Sequence, residues 1–313
     1  MMRCLVTGGA GFVGSALTKR LLDDGWKVDV VDDFSTGDFS LLDRRAKLYR
    51  CGFADHQALR SVIRGSYDIV FHQAAIARVV VSIEKPIETT EANVLDTVKL
   101  FQACREGGVK RIVFASSSSV YGDVTEGDLP LTDERPKRPK SPYALQKAFV
   151  EDYARICGEI YGQEVVCLRY FNVFGPGQLA NGAYSTVIPS WCSSIKEKRS
   201  LRLDGDGKQS RDMAFIDNVV DANILAMESP KNLAGEVINI AGGNRVSLNE
   251  ILAWFRANFG DFDIENAPER LGDIKHTQSA LHKAKALIGY EPRVDFWDGL
   301  ERTIEWWGLQ RPT

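Results

Sequence analysis

The chain is poor in the residues that hold metals or cross-links. Its four histidines, His56, His72, His276 and His282, show neither an H-x-x-x-H nor a cysteine-flanked spacing, so no protein-bound metal is predicted. Its six cysteines, Cys4, Cys51, Cys104, Cys157, Cys167 and Cys192, form no C-x-x-C pair, and several sit in apolar runs. That pattern predicts reduced thiols and a cytosolic setting. No block of Lys or Arg is long enough to neutralise a run of phosphates, and the formal net charge is -3, which argues against nucleic acid as a partner. The densest basic stretch, Arg135 to Lys140, is interrupted by prolines and reads as a solvated loop. No apolar run is long enough to span a bilayer, and Arg3-Cys4-Leu5-Val6-Thr7 leads straight into glycines rather than a secretion segment. The expectation is a soluble, cytoplasmic chain without membrane contacts.

What is present is a globular composition: 313 residues, 44% hydrophobic and 26% charged, enough to bury a sizeable core. Short β-branched runs alternate with helical patterns in the first half, the signature of βαβ units and a parallel sheet. Strands are predicted at about 3–7, 27–31, 47–51, 68–72, 111–116 and 165–169, with helices at about 12–24, 56–64, 92–106 and 143–160. From about residue 173 the texture turns to Gly, Asn and Ser with short helices near 185–197, 216–228, 247–259, 281–288 and 296–308. The apolar run Val237 to Ala241 predicts a strand returning to the main sheet, and the closing segment with Trp306 and Trp307 predicts an amphipathic packing helix. The fold class is α/β, a Rossmann-type doubly wound parallel sheet with a smaller mixed C-terminal substrate domain. Residues 1–172, with returning segments near 212–241, are assigned to the first, and 173–211 with 242–313 to the second.

Thr7-Gly8-Gly9-Ala10-Gly11-Phe12-Val13-Gly14 follows a strand and opens a helix, the context a dinucleotide fingerprint needs. Gly8 permits the tight turn, Gly11 close backbone approach to a pyrophosphate, and Gly14 tight packing of helix on strand. A Gly-rich turn alone is weak evidence. The second half decides it: after the next strand comes Asp32, about 20 residues on, where a carboxylate can accept both ribose hydroxyls and repel a 2′-phosphate. NAD is therefore the predicted cofactor.

The G-x-x-G-x-x-G spacing resembles the short-chain dehydrogenase/reductase superfamily, and T-G-G-x-G-F-x-G resembles its extended branch. The resemblance implies that Phe71-His72-Gln73-Ala74-Ala75 ends the fourth strand against the cofactor, with Asn93 supporting the site. It also implies cofactor contacts from Gly8, Gly11, Phe12, Val13, Asp32, Asp33, Ser35, Thr36, Gly37, Ala74, Ala75, Asn93, Ser116, Tyr143, Lys147, Tyr170 and Val173. One departure stands out. The family usually places Gly-Asp-hydrophobic after the third strand, with the Asp on adenine, whereas this chain reads Cys51-Gly52-Phe53-Ala54-Asp55.

Tyr143 and Lys147 stand four residues apart at the start of a predicted helix and leave the same face. In isolation Y-x-x-x-K is ordinary helix sequence. Here it follows a dinucleotide fingerprint and the strand-ending run Ser116-Ser117-Ser118-Ser119-Val120-Tyr121-Gly122, at the sheet edge where such folds bind ligands. A neighbouring ammonium and a bound nicotinamide cation would favour the phenolate of Tyr143 as a base. The family's S/T-x-x-x-Y-G pattern implies Ser117 as the catalytic hydroxyl with Ser118 beside it. Related dehydratases carry Asp-Glu, and decarboxylases a Glu, just before V-Y-G; Ser118 and Ser119 stand there in this chain, which favours hydride and proton transfer without elimination.

Cys167 to Gln178 resembles the R-Y-F-N-V-x-G-P segment of nucleotide-sugar epimerases, implying Asn172 on the substrate and Tyr170 with Phe171 at the nicotinamide end. Asn181 to Pro189 resembles the family's uridine-binding stretch, which brings in Ala183, Tyr184 and Val187. Arg211 to Val219 resembles the family's R-D-x-x-x-I/V-x-D-V segment and Arg270 to Ile274 its R-x-G-D-I/V, which implies Arg211 and Arg270, forks suited to a diphosphate, and Asp273, able to accept a ribose hydroxyl, on the substrate. Thr277, four residues after Asp273, takes the place of a bulky Tyr in simple UDP-glucose epimerases and leaves volume for an acetamido group. The wider pattern most resembles bacterial UDP-N-acetylglucosamine 4-epimerases. The implied function is NAD-dependent inversion at C4 of a UDP-sugar through a 4-keto intermediate, UDP-GlcNAc/UDP-GalNAc first and UDP-Glc/UDP-Gal second. A UDP-glucuronate 4-epimerase or a sugar-nucleotide reductase uses the same scaffold, and a dinucleotide-sensing regulatory protein is the non-enzyme alternative. The expected assembly is a homodimer through helices 92–106 and 143–160, whose apolar residues include Val94, Val98, Phe101, Ala148 and Val150.

Overall fold

The computed structural model describes residues 3–52, 56–64, 67–180, 186–268 and 275–311. Six strands alternate with helices through the first half: β1 (Arg3–Thr7), β2 (Lys27–Val31), β3 (Lys47–Tyr49), β4 (Ile69–His72), β5 (Arg111–Ser117) and β6 (Glu164–Tyr170). All pair in parallel, and Val237–Ile240 joins β6 as the edge strand of a seven-stranded sheet. The order from that edge is Val237–Ile240, β6, β5, β4, β1, β2, β3. Strand order reverses between β1 and β4, so the crevice above their carboxyl ends is the switch point where a ligand binds in such sheets.

The strands are apolar because both faces are covered. On one side Cys4, Val6, Val28, Val30 and Phe71 pack against α1 (Phe12–Asp23) and the helix Ile216–Glu228. On the other Leu5, Val31, Val70, Ile112 and Phe114 meet α2 (His56–Ile63), α5 (Asp96–Glu106) and α6 (Pro142–Tyr161). Two short helices, α3 (Val79–Glu84) and α4 (Pro86–Thr90), follow β4. They were not predicted; the expected helix 92–106 begins instead as the π-helical turn Glu91–Leu95 and continues as α5. The helix Phe296–Trp307 buries Phe296, Gly299, Leu300, Thr303 and Ile304 and leaves Trp306 exposed, the amphipathic packing predicted from its spacing. The strands Leu201–Asp204, Ser210–Asp212, Arg245–Ser247 and Ile264–Ala267 pair two by two outside the main sheet. At three or four residues each they are too short to show a period of two.

Candidate active site

The Gly-rich turn is built by contact rather than by flexibility alone. Gly8 sits at φ +69 with its N–H on Val31 O at 2.8 Å, and a β-carbon there would lie 2.7 Å from the Ala74 nitrogen. A β-carbon on Gly14 would lie 2.0 Å from Gly8 O, so α1 and β1 can close only without side chains at these positions. Gly11 is the N-cap of α1 and offers no side-chain cap, leaving the first N–H groups of the helix directed at the crevice. At the end of β2 the Asp32 carboxylate accepts from Ala10 N at 2.9 Å and Phe34 N at 2.8 Å. Burial raises its pKa above the usual aspartate range, opposed by those two bonds. Gly37 closes over it, and Ser35 and Thr36 are exposed beside it. A backbone cradle at a helix N-terminus with a carboxylate beyond it fits a dinucleotide: Gly8, Gly11, Phe12 and Val13 would take the pyrophosphate and Asp32 the ribose.

Beneath this cradle runs a buried hydrogen-bond chain. Thr97 donates its hydroxyl to Asn93 O at 2.9 Å, so it accepts from His72 Nε2 at 2.9 Å; His72 Nδ1 then accepts from Thr7 Oγ1 at 2.7 Å. Burial drives the His72 pKa down to about 3, helped by the Lys147 charge, which keeps the ring neutral for this role. Asn93 accepts from Ile76 N, donates to Ile76 O and donates to Gln146 Oε1 at 2.8 Å. The π-turn thus aims Asn93 at the segment after β4 and at α6 together.

Helix α6 starts where the sequence dictates. Ser141 is its N-cap, its hydroxyl accepting from Ala144 N at 3.2 Å; Pro142 opens the first turn, and Gly162 ends the helix in the left-handed conformation. Its buried stripe contains Tyr143, Gln146, Lys147, Val150, Glu151, Ala154 and Cys157. Three of these are polar or charged, an arrangement that costs stability unless each has partners. Lys147 donates from Nζ to Ala115 O at 2.7 Å and lies 5.8 Å from the centroid of the Tyr143 ring. Ser119 directs its N–H and hydroxyl at Ser117 Oγ, at 3.2 and 2.9 Å, leaving the Ser117 proton for its hydrogen bond with the Tyr143 phenol. Ser117, Tyr143 and Lys147 are therefore brought together at the end of β5.

The electrostatics differ from the sequence expectation. Burial pushes the Tyr143 phenol up to about 12, against a smaller lowering by Ser117, and pushes Lys147 down to about 8, opposed by the negative charge of Glu151. In the protein alone desolvation outweighs the ammonium, and the phenol is the protonated form. Two further placements are corrections. Ser116 is buried and donates to Glu151 Oε1 at 2.6 Å, so its hydroxyl faces the interior. Phe171 is fully buried with Val120, Tyr121 and Leu131, because neighbours on an extended chain point to opposite faces. Tyr170 does face the β4 end, with its hydroxyl held by Gln73 and Asn223.

On the substrate side Asn172 is exposed while its carbonyl accepts from Ala214 N at 3.0 Å. Val173 pairs with Ala214, Ser118 is half-buried, and Val187 opens the helix Val187–Lys196. Arg211 is buried and donates to Ser210 O and Lys275 O at 3.1 and 2.9 Å. Thr277 is also buried, its hydroxyl accepting from Asp212 N at 3.2 Å, so it is folded against the chain rather than projecting. Asp212 in turn accepts from Gly243 N and Ser279 N. Ala183, Tyr184, Arg270 and Asp273 lie outside the described residues.

Sequence reasoning missed four contributors. Ser82, on α3, accepts from Tyr143 N at 3.1 Å, and no local signal marks it. Asn223 comes from a distant helix. Gln146 and Glu151 had a legible signal: polar residues three and eight positions after Tyr143, on the face that buries it. Glu151 accepts from Nε and Nη2 of Arg169, each at 2.8 Å.

A sequence profile of the NAD dependent epimerase/dehydratase family matches residues 4–241. A putative UDP-glucose 4-epimerase of Methanocaldococcus jannaschii is 32% identical over 96% of this chain and 97% of its own length. The crystal structure of a UDP-glucose 4-epimerase from Thermotoga maritima with UDP-glucose superposes with a TM-score of 0.92 at 32% identity, covering 98% of this chain and 99% of that one. That of a UDP-N-acetylglucosamine 4-epimerase from Methanobrevibacter ruminantium, in complex with UDP-N-acetylmuramic acid, superposes with a TM-score of 0.90 at 36% identity, covering 97% of each chain.

Proposed function

The chain belongs to the NAD-dependent epimerase/dehydratase family, and from that premise we propose that it inverts C4 of a UDP-sugar, with UDP-N-acetylglucosamine and its C4 epimer as the pair it serves. The observation that carries the reading is the Ser117–Tyr143–Lys147 cluster at the β5 end, with serine rather than acid at 118 and 119. When bound, NAD supplies a reversible hydride acceptor and a positive charge beside the phenol. Tyr143 takes the proton of the sugar 4-hydroxyl and returns it, Ser117 orients that oxygen, and Lys147 supports the phenolate that forms. With no carboxylic acid beside V-Y-G to protonate a leaving group, the 4-keto sugar is reduced again from its other face rather than eliminated.

Asn172, Ser117 and Ser118, with Arg211, Val187 and the undescribed Ala183, Tyr184, Arg270 and Asp273, are assigned to the substrate. The small Thr277 and the likeness to the archaeal UDP-N-acetylglucosamine 4-epimerase support the N-acetylated sugar. Residues 1–172 with segments near 212–241 form the nucleotide lobe in this reading, and 173–211 with 242–313 the sugar lobe. The test is incubation of the purified protein with UDP-GlcNAc, UDP-glucose and UDP-glucuronate separately, following C4 by proton NMR without added reductant. UDP-GalNAc is the expected product. Inversion of UDP-glucuronate alone would transfer the substrate assignment to that sugar, and inversion of none would overturn the reading.

A further inference from the structure

We propose that the Asp33 carboxylate is the acceptor that reads the 6-amino group of the cofactor's adenine, an inference that rests on NAD being the resident dinucleotide. Asp32 and Asp33 follow β2 directly, and successive side chains of an extended segment diverge. Asp32 turns inward, 7% exposed, and is tied to the Gly-rich turn through Ala10 N and Phe34 N; it marks the ribose. Asp33 turns outward towards the neighbouring strand end. Its Oδ1 accepts from Ser35 N at 2.9 Å and from the Ser35 hydroxyl at 2.6 Å. These two bonds fix the plane of the carboxylate and leave Oδ2 pointing the other way.

Oδ2 points at Gly52. A β-carbon built on Gly52 would lie 3.3 Å from Asp33 Oδ2 and 3.8 Å from Asp33 Cβ. Residue 52 stands just past β3 and, as glycine, brings no side-chain acceptor of its own. The Asp33 carboxylate therefore occupies the space into which a side chain on residue 52 would project, at the converging ends of β2 and β3. In a doubly wound sheet the adenosine extends outward from the carboxylate that holds its ribose, past the end of the second strand. The edge of adenine carries one exocyclic donor, the amino group on C6, and a fixed carboxylate oxygen is its natural acceptor. Phe34, whose φ of 61 is left-handed for a residue with a side chain, follows Asp33 directly and sets its ring 5.5 Å from the Arg50 guanidinium, on the β3 side of the loop.

The 6-unsubstituted purine analogue of NAD provides the test, because it replaces the 6-amino group by hydrogen, keeps N1 an acceptor and leaves the rest of the dinucleotide unchanged. The full chain is equilibrated with equal, excess concentrations of NAD and nicotinamide purine dinucleotide. The bound nucleotides are released by denaturation and counted by chromatography, the same ratio being reached from either starting nucleotide. Wild type is expected to retain NAD over the analogue by about tenfold, the scale of one charge-assisted hydrogen bond. Asp33→Ala should bring the ratio to within about twofold. Adding Gly52→Asp to that variant should restore the preference, because the returning carboxylate enters the space that Asp33 vacated. Asp33→Ala with the full preference intact would overturn the proposal, as would a preference that collapses in Asp55→Ala instead. Wild type retaining neither nucleotide would overturn the NAD reading itself, an outcome distinguishable from the others.

Discussion

Tyr143 and Lys147 are held in protonation states set by burial, and both consequences can be measured. On the proposed mechanism, replacing Tyr143 by Phe removes the group that takes the 4-hydroxyl proton, so turnover should fall by about a thousandfold with folding intact, read as the NMR rate of C4 inversion. Burial holds the Lys147 ammonium at a folded pKa of about 8, below the ordinary lysine value of 10.5. The unfolded chain therefore binds more protons between these values, and the stability penalty of the buried ammonium is full below about 8 and is relieved as pH rises towards 10.5. Lys147→Met has no such penalty. Its melting temperature relative to wild type should be highest near pH 7 and fall as pH rises through about 8, and a constant difference from pH 7 to 10 would contradict the assigned state.

At the scale of elements, α6 is positioned by three pieces of chain remote from it in sequence. Its first turn is tied to α3 through Ser82, its buried face to the π-turn through Asn93 and Gln146, and its middle to β6 through Glu151 and Arg169. Ser82→Ala leaves the Tyr143 N–H without its acceptor, at a cost of about 1–2 kcal/mol, to be read by urea denaturation. It should also slow turnover with KM unchanged, since only the aim of the phenol is disturbed. Loss of stability without loss of rate would show that Ser82 holds the helix but not the site. The helix itself was legible from sequence at about 143–160, because its apolar and polar spacing acts within a few residues. Ser82 was not, because α4, the π-turn, α5 and β5 intervene before the helix it anchors.

Among the described residues, α3, α4, the π-turn and α6 carry exposed apolar side chains. Leu145 and Phe149 on α6, Leu95 in the π-turn, and Ile83 and Ile87 on α3 and α4 are all exposed, Ile87 by 75%. The residues first associated with a dimer divide differently: Phe101, Ala148 and Val150 are buried within the chain, so the free face is one helical step round from them. Exposed apolar side chains on neighbouring helices are where chains associate, and we propose a two-fold pairing of α5 and α6 with their copies. Light scattering should report a homodimer for wild type and a folded monomer for the double variant Leu145→Glu, Phe149→Glu. A monomeric wild type at micromolar concentration would refute the pairing.

The sequence by itself determined the α/β class, the seven strands of the sheet to within about two residues, the glycine cradle with Asp32, and the Ser117, Tyr143 and Lys147 positions. These rest on short-range rules: a period of two or 3.6, a cap, a turn that admits only glycine, a pair spaced one helical turn apart. Tertiary structure alone decided which way adjacent residues face and what surrounds them. Ser116 turns inward while Ser117 reaches Tyr143, Phe171 is buried while Asn172 is exposed, and Thr277 folds onto Asp212. The protonation of Tyr143 belongs to the same class, because desolvation depends on everything packed around a group and neighbours in sequence contribute only part of it.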